Sequence, residues 1–214
     1  MRHGGDHAFD KPYWEQHWQG RTDAADSGPP NPYLAAELGG LLPGTALDAG
    51  CGTGAEAVWL AQHGWQVTAA DISAEALTQA AIRAASSGSA NRVQWVEADL
   101  SSWDPKVPFD LVTTSYAHPA MPQLAFYDRL ATWVAPGGTL LIIGHLHAGG
   151  HDHGHSTGDQ PPAEATATAD AVTARLADAE WDVSTADEVH RTVTAPHGGV
   201  AALQDFVVRA TRRS

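Results

Sequence analysis

A glycine-dense turn, Gly50-Cys51-Gly52-Thr53-Gly54, lies between a short apolar run and a stretch of helical periodicity, and it narrows what this chain can fold into. Ala46-Leu47-Asp48-Ala49 before the turn reads as a buried strand. After it, Ala55 to His63 carries Val58, Leu60 and Ala61 at helical spacing and is stopped by Gly64. Glycines let the backbone turn tightly and approach a ligand without Cβ clashes. The helix starting at Ala55 would aim its positive N-terminus at whatever sits there.

The same alternation continues downstream. Gln66–Ala70 reads as a second strand ending at Asp71, and Ser73 caps a long Ala-rich helix to about Ser86. Arg92–Val96, Phe109–Thr114 and Thr139–Ile143 read as three more strands, with a helix near Pro122–Val134 between the last two. Strands alternating with helices of this length imply right-handed crossovers and a parallel sheet covered on both faces. The end of the chain breaks the rhythm. After a helix near Ala167–Ala179, the β-rich runs Trp181–Val193 and Leu203–Thr211 flank a loop with Pro196, Gly198 and Gly199, which suits an antiparallel hairpin at the sheet edge. Before the first strand, residues 1–43 read as an arm. Tyr13–Trp18 forms one short aromatic helix, and a second, capped by Asn31 with Pro32 in its first position, runs to about Leu41. The organisation expected is an arm over 1–43 and a ligand-binding domain over 44–214, with a His/Gly-rich loop at about 145–165.

Charge and cysteine content exclude several functions. The 214-residue chain carries 25 acidic against 12 basic residues, a formal net charge of −13, and that field repels nucleic acid and anionic membrane surfaces. Cys51 is the only cysteine, so an intrachain disulfide and a Cys-rich metal site are excluded. Met1 to Gln19 has no apolar signal segment, and no apolar run approaches the ~20 residues that span a bilayer. A soluble, cytoplasmic protein is expected, as monomer or homodimer.

Asp71 stands 21 residues after Gly50 at a strand end, where it could accept hydrogen bonds from a ribose diol. Gly50-Cys51-Gly52-Thr53-Gly54-Ala55 formally satisfies the dinucleotide fingerprint G-x-G-x-x-G/A. The longer segment Leu47–Gly54, however, resembles motif I of the class I S-adenosylmethionine-dependent methyltransferases. Asp71-Ile72-Ser73 resembles that family's ribose-binding acid, and Glu97-Ala98-Asp99-Leu100 its adenine-binding loop. Phe109-Asp110-Leu111-Val112 and Ala135–Leu141 resemble its fourth strand and the turn into its fifth. These blocks follow the family's order and cover roughly residues 44–145. The resemblance implies a doubly wound, Rossmann-like α/β fold with a seven-stranded sheet, helices on both faces and a C-terminal antiparallel hairpin.

It also implies roles. Asp48 would orient the glycine loop and contact the methionine ammonium of S-adenosylmethionine, directly or through water, and the Gly50 and Gly52 backbone would line that moiety. Asp71 would take the ribose hydroxyls and Ile72 would pack on adenine. Asp99 would accept from the adenine amino group beside the Leu100 backbone, and Ser115 would lie under the sulfonium. Trp14, with Tyr13, Trp18 and Tyr116, would wall the site and face the cationic sulfur. The product would be S-adenosylhomocysteine.

Two histidines are candidate bases. His145 ends the fifth strand and His118 follows the fourth, and an imidazole there could take a proton from an attacking O, N or S atom. The tract His145 to His155 holds five of the twelve histidines among glycines, which reads as a loop with incidental metal affinity and no dedicated metal site. The activity expected is methyl transfer to a small-molecule acceptor. The segment Ser115-Tyr116-Ala117-His118-Pro119 lacks the N/D-P-P-Y/F pattern of nucleic-acid amino methylation. Two other readings stay open: a non-catalytic S-adenosylmethionine-binding or metal-handling protein, and a nicotinamide-dependent reductase.

Overall fold

Five parallel strands make the body of the computed structural model, which describes residues 9–19, 28–146, 167–194 and 200–214. They are β1 (Thr45–Ala49), β2 (Gln66–Asp71), β3 (Val93–Glu97), β4 (Phe109–Ser115) and β5 (Val134–His145). Two further strands, β6 (Trp181–Thr194) and β7 (Val200–Arg212), complete a seven-stranded sheet in the order β3-β2-β1-β4-β5-β7-β6. β7 runs antiparallel to both β5 and β6, so the terminal hairpin is inserted with its second strand inward.

The helices are α1 (Lys11–Trp18), α2 (Tyr33–Leu38), α3 (Ala55–Gln62), α4 (Ala74–Ser86), α5 (Gln123–Thr132) and α6 (Ala169–Thr173). Alternation along β5 shows why both faces of the sheet must be covered. Leu140 and Ile142 pack with Phe126 and Leu130 of α5 and Val172 of α6, while Leu141 and Ile143 pack with Leu34 and Leu38 of α2 and Leu60 of α3. All four β5 side chains are fully buried, as expected of a strand sandwiched between helical layers. This is the doubly wound α/β arrangement with an antiparallel terminal hairpin.

Element ends differ from the sequence reading where local hydrogen bonding intervenes. α6 stops at Thr173 and does not reach Ala179, because Arg175 and Leu176 donate to the carbonyls three residues back and tighten the ladder out of the α form. α2 ends at Leu38, before Gly39 and Gly40. β5 starts five residues early: Val134 pairs with Phe109, the turn through Gly137 interrupts, and pairing resumes at Thr139 with Leu111. Ser73 caps α4 as expected, whereas α2 begins one residue later than expected, with Pro32 at its N-cap and no side-chain cap, and Asn31 instead closes a turn just before it. Asn31 Oδ1 accepts from the Tyr33 N–H at 3.1 Å, and Ser73 Oγ accepts from the Ala76 N–H at 3.2 Å. Among the described residues, no helix is long and apolar enough to cross a membrane.

The order of strands reverses between β1 and β4, the place where open α/β sheets bind ligands beyond the carboxyl ends of their strands.

Candidate active site

A cavity of about 400 Å³ opens at that reversal, within the size range of cofactor clefts. Every parallel strand contributes to its wall from its carboxyl end. The wall holds Gly50, Cys51 and Gly52 after β1, Asp71 and Ile72 from β2, Ala98, Asp99 and Leu100 after β3, the run Ser115–Pro119 at β4, and His145 of β5. The arm supplies the remaining side, with Phe9, Trp14, His17 and Trp18.

The floor is the glycine turn. Gly50 (φ +79°) and Gly52 (φ +48°) hold left-handed backbone that side-chain-bearing residues avoid. Their neighbours leave no room either: a Cβ on Gly50 would lie 2.3 Å from that of Ala117, and one on Gly52 would lie 3.2 Å from the Trp18 ring. Two amides of the turn, those of Gly50 and Cys51, donate to the Ala70 carbonyl at 2.8 and 3.1 Å, locking the turn to β2.

Asp71 ties the two strand ends together. Its Oδ2 accepts from the Gly52 N–H at 2.8 Å and its Oδ1 from the Ser73 N–H at 2.9 Å. Burial pushes its carboxyl up, against the pull of those amides. Asp99 is exposed, and its Oδ1 accepts from the Ser101 N–H and hydroxyl. Ser115 lines the cavity with a buried Oγ that has no hydrogen-bond partner among the described residues.

Asp48 lies beneath the wall rather than in it, only 1% exposed. Its carboxyl accepts from the Ala57 N–H, and its Oδ2 has no partner among the described residues. Burial raises this carboxyl well above the usual range, with the charges of Glu56 and Asp71 adding to the effect. The acid that reaches the cavity here is Glu56, in the first turn of α3, which accepts from the Asn31 N–H at 3.0 Å. Burial pushes Glu56 up as well. Sequence reasoning does not single out Glu56, although an acid in the first helical turn after a glycine loop carries a signal of its own, since negative charge is favoured at a helix N-terminus.

The arm is held across the mouth by a carboxylate. Glu15 of α1 accepts from Ser73 Oγ at 3.0 Å, the Ala74 N–H at 2.9 Å and the Glu75 N–H at 3.3 Å, satisfying the first turn of α4. Burial alone would raise the Glu15 carboxyl, but these three donors and Lys11 outweigh it and hold it below 4.5. The contribution to docking is therefore complete above the ordinary glutamate value and is lost as pH falls through the depressed one. Glu15→Gln is expected to loosen the arm and weaken binding of the cavity's ligand by about 0.5–2 kcal/mol, the range of a lost cap. Titration calorimetry checks the affinity, and tryptophan emission from Trp14 and Trp18 checks the docking.

Both candidate bases reach the cavity. His118 Nδ1 lies 3.1 Å from Gln123 Oε1, and Gln123 Nε2 in turn donates to the Ala117 carbonyl. His118 also stacks on Phe9 of the arm, with ring centroids 5.6 Å apart. His145 Nδ1 lies 2.9 Å from Asp205 Oδ1, and its ring stacks on Tyr116 at 4.0 Å. Tyr116 holds positive φ (+58°), a strained backbone for a tyrosine, and so presents its ring to His145. Its hydroxyl accepts from Asn31 Nδ2 at 3.1 Å and from Arg191 at 3.0 Å, and burial pushes its pKa up to about 12.

Asp205 and Arg191 are not singled out by sequence. Asp205 precedes the apolar run Phe206-Val207-Val208, and a lone acid entering an apolar strand signals a buried, paired charge. The His-rich tract from residue 147 to 155 lies outside the described residues. Among those described, no group of three or more His, Cys, Asp or Glu side chains could hold a metal ion.

The wall is acidic at one end, through Glu56, Asp71 and Asp99, and no Lys or Arg lines it among the described residues. An aromatic roof, a glycine floor, the carboxylates of Glu56, Asp71 and Asp99 and an orphaned buried oxygen on Ser115 suit a ligand carrying both a ribose and positive charge. Residues 46–138 match the family model described as methyltransferase domain. The chain is 30% identical over 135 residues to the probable thiol methyltransferase 2 of Arabidopsis thaliana, covering 61% of this chain and 60% of that one. It is 34% identical over 106 residues to the ribosomal RNA small subunit methyltransferase C of Alcanivorax borkumensis, covering 47% and 32%. A solved structure described under "Conversion of a Disulfide Bond into a Thioacetal Group during Echinomycin Biosynthesis" superposes with a TM-score of 0.66 at 25% identity, covering 97% of this chain and 91% of that one. Over residues 46–138 the chain is therefore similar to methyltransferase domains, and these likenesses support an S-adenosylmethionine-dependent methyltransferase with S-adenosylmethionine as its cofactor. The chain spans less than two thirds of the length of both curated relatives.

Proposed function

We propose that this chain transfers a methyl group from S-adenosylmethionine to a nucleophilic O, N or S atom of a small molecule, with sulfur as the favoured acceptor. The observation that carries the reading is the convergence of five strand ends, a glycine floor and an aromatic arm on one acidic cavity. When bound, S-adenosylmethionine supplies a methyl group already activated on a sulfonium.

The chain's own residues then bind, orient and exclude water, which is most of what an in-line displacement asks of a protein. Asp71 receives the ribose hydroxyls, and Ile72, Asp99 and Leu100 hold the adenine end. The Gly50 and Gly52 backbone lies along the methionine portion, with Glu56 facing its ammonium and Asp48 buried behind. Trp14 and Trp18 close the mouth. Ser115, Tyr116, His118 and His145 surround the acceptor, with His145 removing its proton.

Size and charge favour a small acceptor. The cavity is roofed by the arm, and the net charge of −13 opposes a polyanion even though one relative is named for ribosomal RNA. Sulfur is favoured because two relatives are named for thiol and disulfide-derived chemistry. Titration calorimetry of the full chain is expected to show micromolar S-adenosylhomocysteine binding and no NADH binding. Incubation with S-adenosylmethionine and a panel of alkanethiols, phenols and amines is expected to release S-adenosylhomocysteine, fastest with a thiol. Absence of S-adenosylhomocysteine binding would overturn the reading, and turnover confined to phenols or amines would overturn the sulfur assignment.

A further inference from the structure

We infer that Asp205 is a positioning residue, which fixes the proton of His145 on Nδ1 and thereby leaves Nε2 as the atom that accepts the proton of the methyl acceptor. The inference rests on the methyltransferase reading above and assigns a residue outside every motif of that family seen in the sequence. The assignment follows from the geometry of four elements. β7 pairs with β5 in a register that sets Asp205 opposite His145. Asp205 is fully buried, with Oδ1 against His145 Nδ1 at 2.9 Å. Its Oδ2 accepts from Arg191 Nε of β6 and, at 3.4 Å, from the Tyr33 hydroxyl of α2.

A buried acid with this many donors stays ionised. Burial alone would raise its carboxyl, but Arg191, His145 and the Tyr116 hydroxyl outweigh burial and hold it below the usual range. An ionised carboxylate can only accept hydrogen bonds, so the proton between the two groups belongs to the imidazole Nδ1. The charged and titratable groups facing this pair are Arg191 from β6, Tyr33 from α2 and Tyr116 after β4, and Arg191 balances the Asp205 charge. Stacking on Tyr116 at an interplanar angle of 17° restrains rotation of the ring. Tyr116 is itself anchored through Asn31 and Arg191, so one network ties the start of α2 to the base.

For a thiol acceptor the step balances as follows. The thiol proton passes to Nε2 of His145, and the sulfur electron pair forms the bond to the methyl carbon as the bond from that carbon to the sulfonium breaks. The imidazolium is stabilised by Asp205 across Nδ1 and returns its proton to water, since its side chain is 36% exposed.

Two readouts test this, one of them independent of turnover. In long-range proton–nitrogen NMR of the full chain with S-adenosylhomocysteine, His145 is identified as the resonance missing from His145→Gln. It is expected to carry its proton on Nδ1, and in Asp205→Asn on Nε2, since an amide can donate to Nδ1. A wild-type Nε2 proton, or a tautomer unchanged in Asp205→Asn, would overturn the proposal. Neither outcome depends on which acceptor is methylated, and the wild-type measurement stands if Asp205→Asn does not fold. In turnover, Asp205→Asn is expected to lower kcat for an alkanethiol by about 10²–10⁴-fold, the range of general-base catalysis, with the KM for S-adenosylmethionine little changed. Thiophenol is ionised at neutral pH and needs no base, so its rate should fall far less. An equal loss for both thiols would assign Asp205 a merely structural part. Failure of S-adenosylhomocysteine to bind would instead strike the functional reading, and the tautomer measured on the free protein would then decide the role of Asp205.

Discussion

Asp71→Ala is expected to weaken S-adenosylhomocysteine binding by about 1–3 kcal/mol, roughly 5- to 150-fold, with the fold retained. Two losses combine in that figure. The first is the proposed ribose contact: a buried carboxylate at the cavity wall is a strong acceptor for a diol, and alanine offers nothing in its place. The second is the turn. Asp71 Oδ2 holds the Gly52 N–H and Oδ1 the Ser73 N–H, so truncation leaves two backbone donors unpaired beside the site. Asp71→Asn should fall between wild type and alanine, because its amide oxygen can keep one of those bonds. Titration calorimetry reads the affinity, and circular dichroism on the same samples reads the fold. Unchanged affinity in a folded Asp71→Ala protein would remove this residue from the site.

Gly50→Ala should be the costlier substitution for stability, at about 2–4 kcal/mol, with binding lost as well. The new Cβ must occupy left-handed backbone at φ +79°, which costs an L-residue about 1–2 kcal/mol. It would also stand 2.3 Å from the Ala117 Cβ, a small, stiff neighbour that cannot swing aside. Relief requires moving the Ser115–Pro119 segment, and that segment carries Tyr116 and His118. Gly88→Ala separates the two causes. Gly88 also holds positive φ (+74°), yet a Cβ there meets nothing within 4 Å, so its cost is strain alone. Urea denaturation of both variants measures the difference as a shift in midpoint. Equal midpoints would mean that the Ala117 contact relaxes freely.

The legible part of the site is the part made by neighbours in sequence. Gly50, Gly52, Asp71, Asp99 and His145 each lie within a few residues of a strand's carboxyl end, and a parallel sheet brings such ends to one edge whatever the details of packing. Reading each strand end is therefore enough to collect most of the cavity wall. Glu56 escapes such a reading, and Asp48 lies behind it, because the position of an acid relative to a cavity depends on the direction of its Cα–Cβ bond. A motif match does not contain that direction.

The sequence alone determined the alternation of strand and helix, the glycine turn, and the order in which acids and histidines line the edge, because all of these follow from local backbone preferences and side-chain periodicity. Only the tertiary structure decided what surrounds His145. β7 could have paired with β5 in either direction or another register, or left β6 in its place. A shift of one residue would have turned Asp205 to the other face of the sheet. Its partners Tyr33, Tyr116 and Arg191 come from distant parts of the chain and meet only when α2 docks and the hairpin closes against β5. Burial then gives this Asp–Arg–His–Tyr network its strength, since a low-dielectric setting strengthens each hydrogen bond and makes an unpaired charge costly.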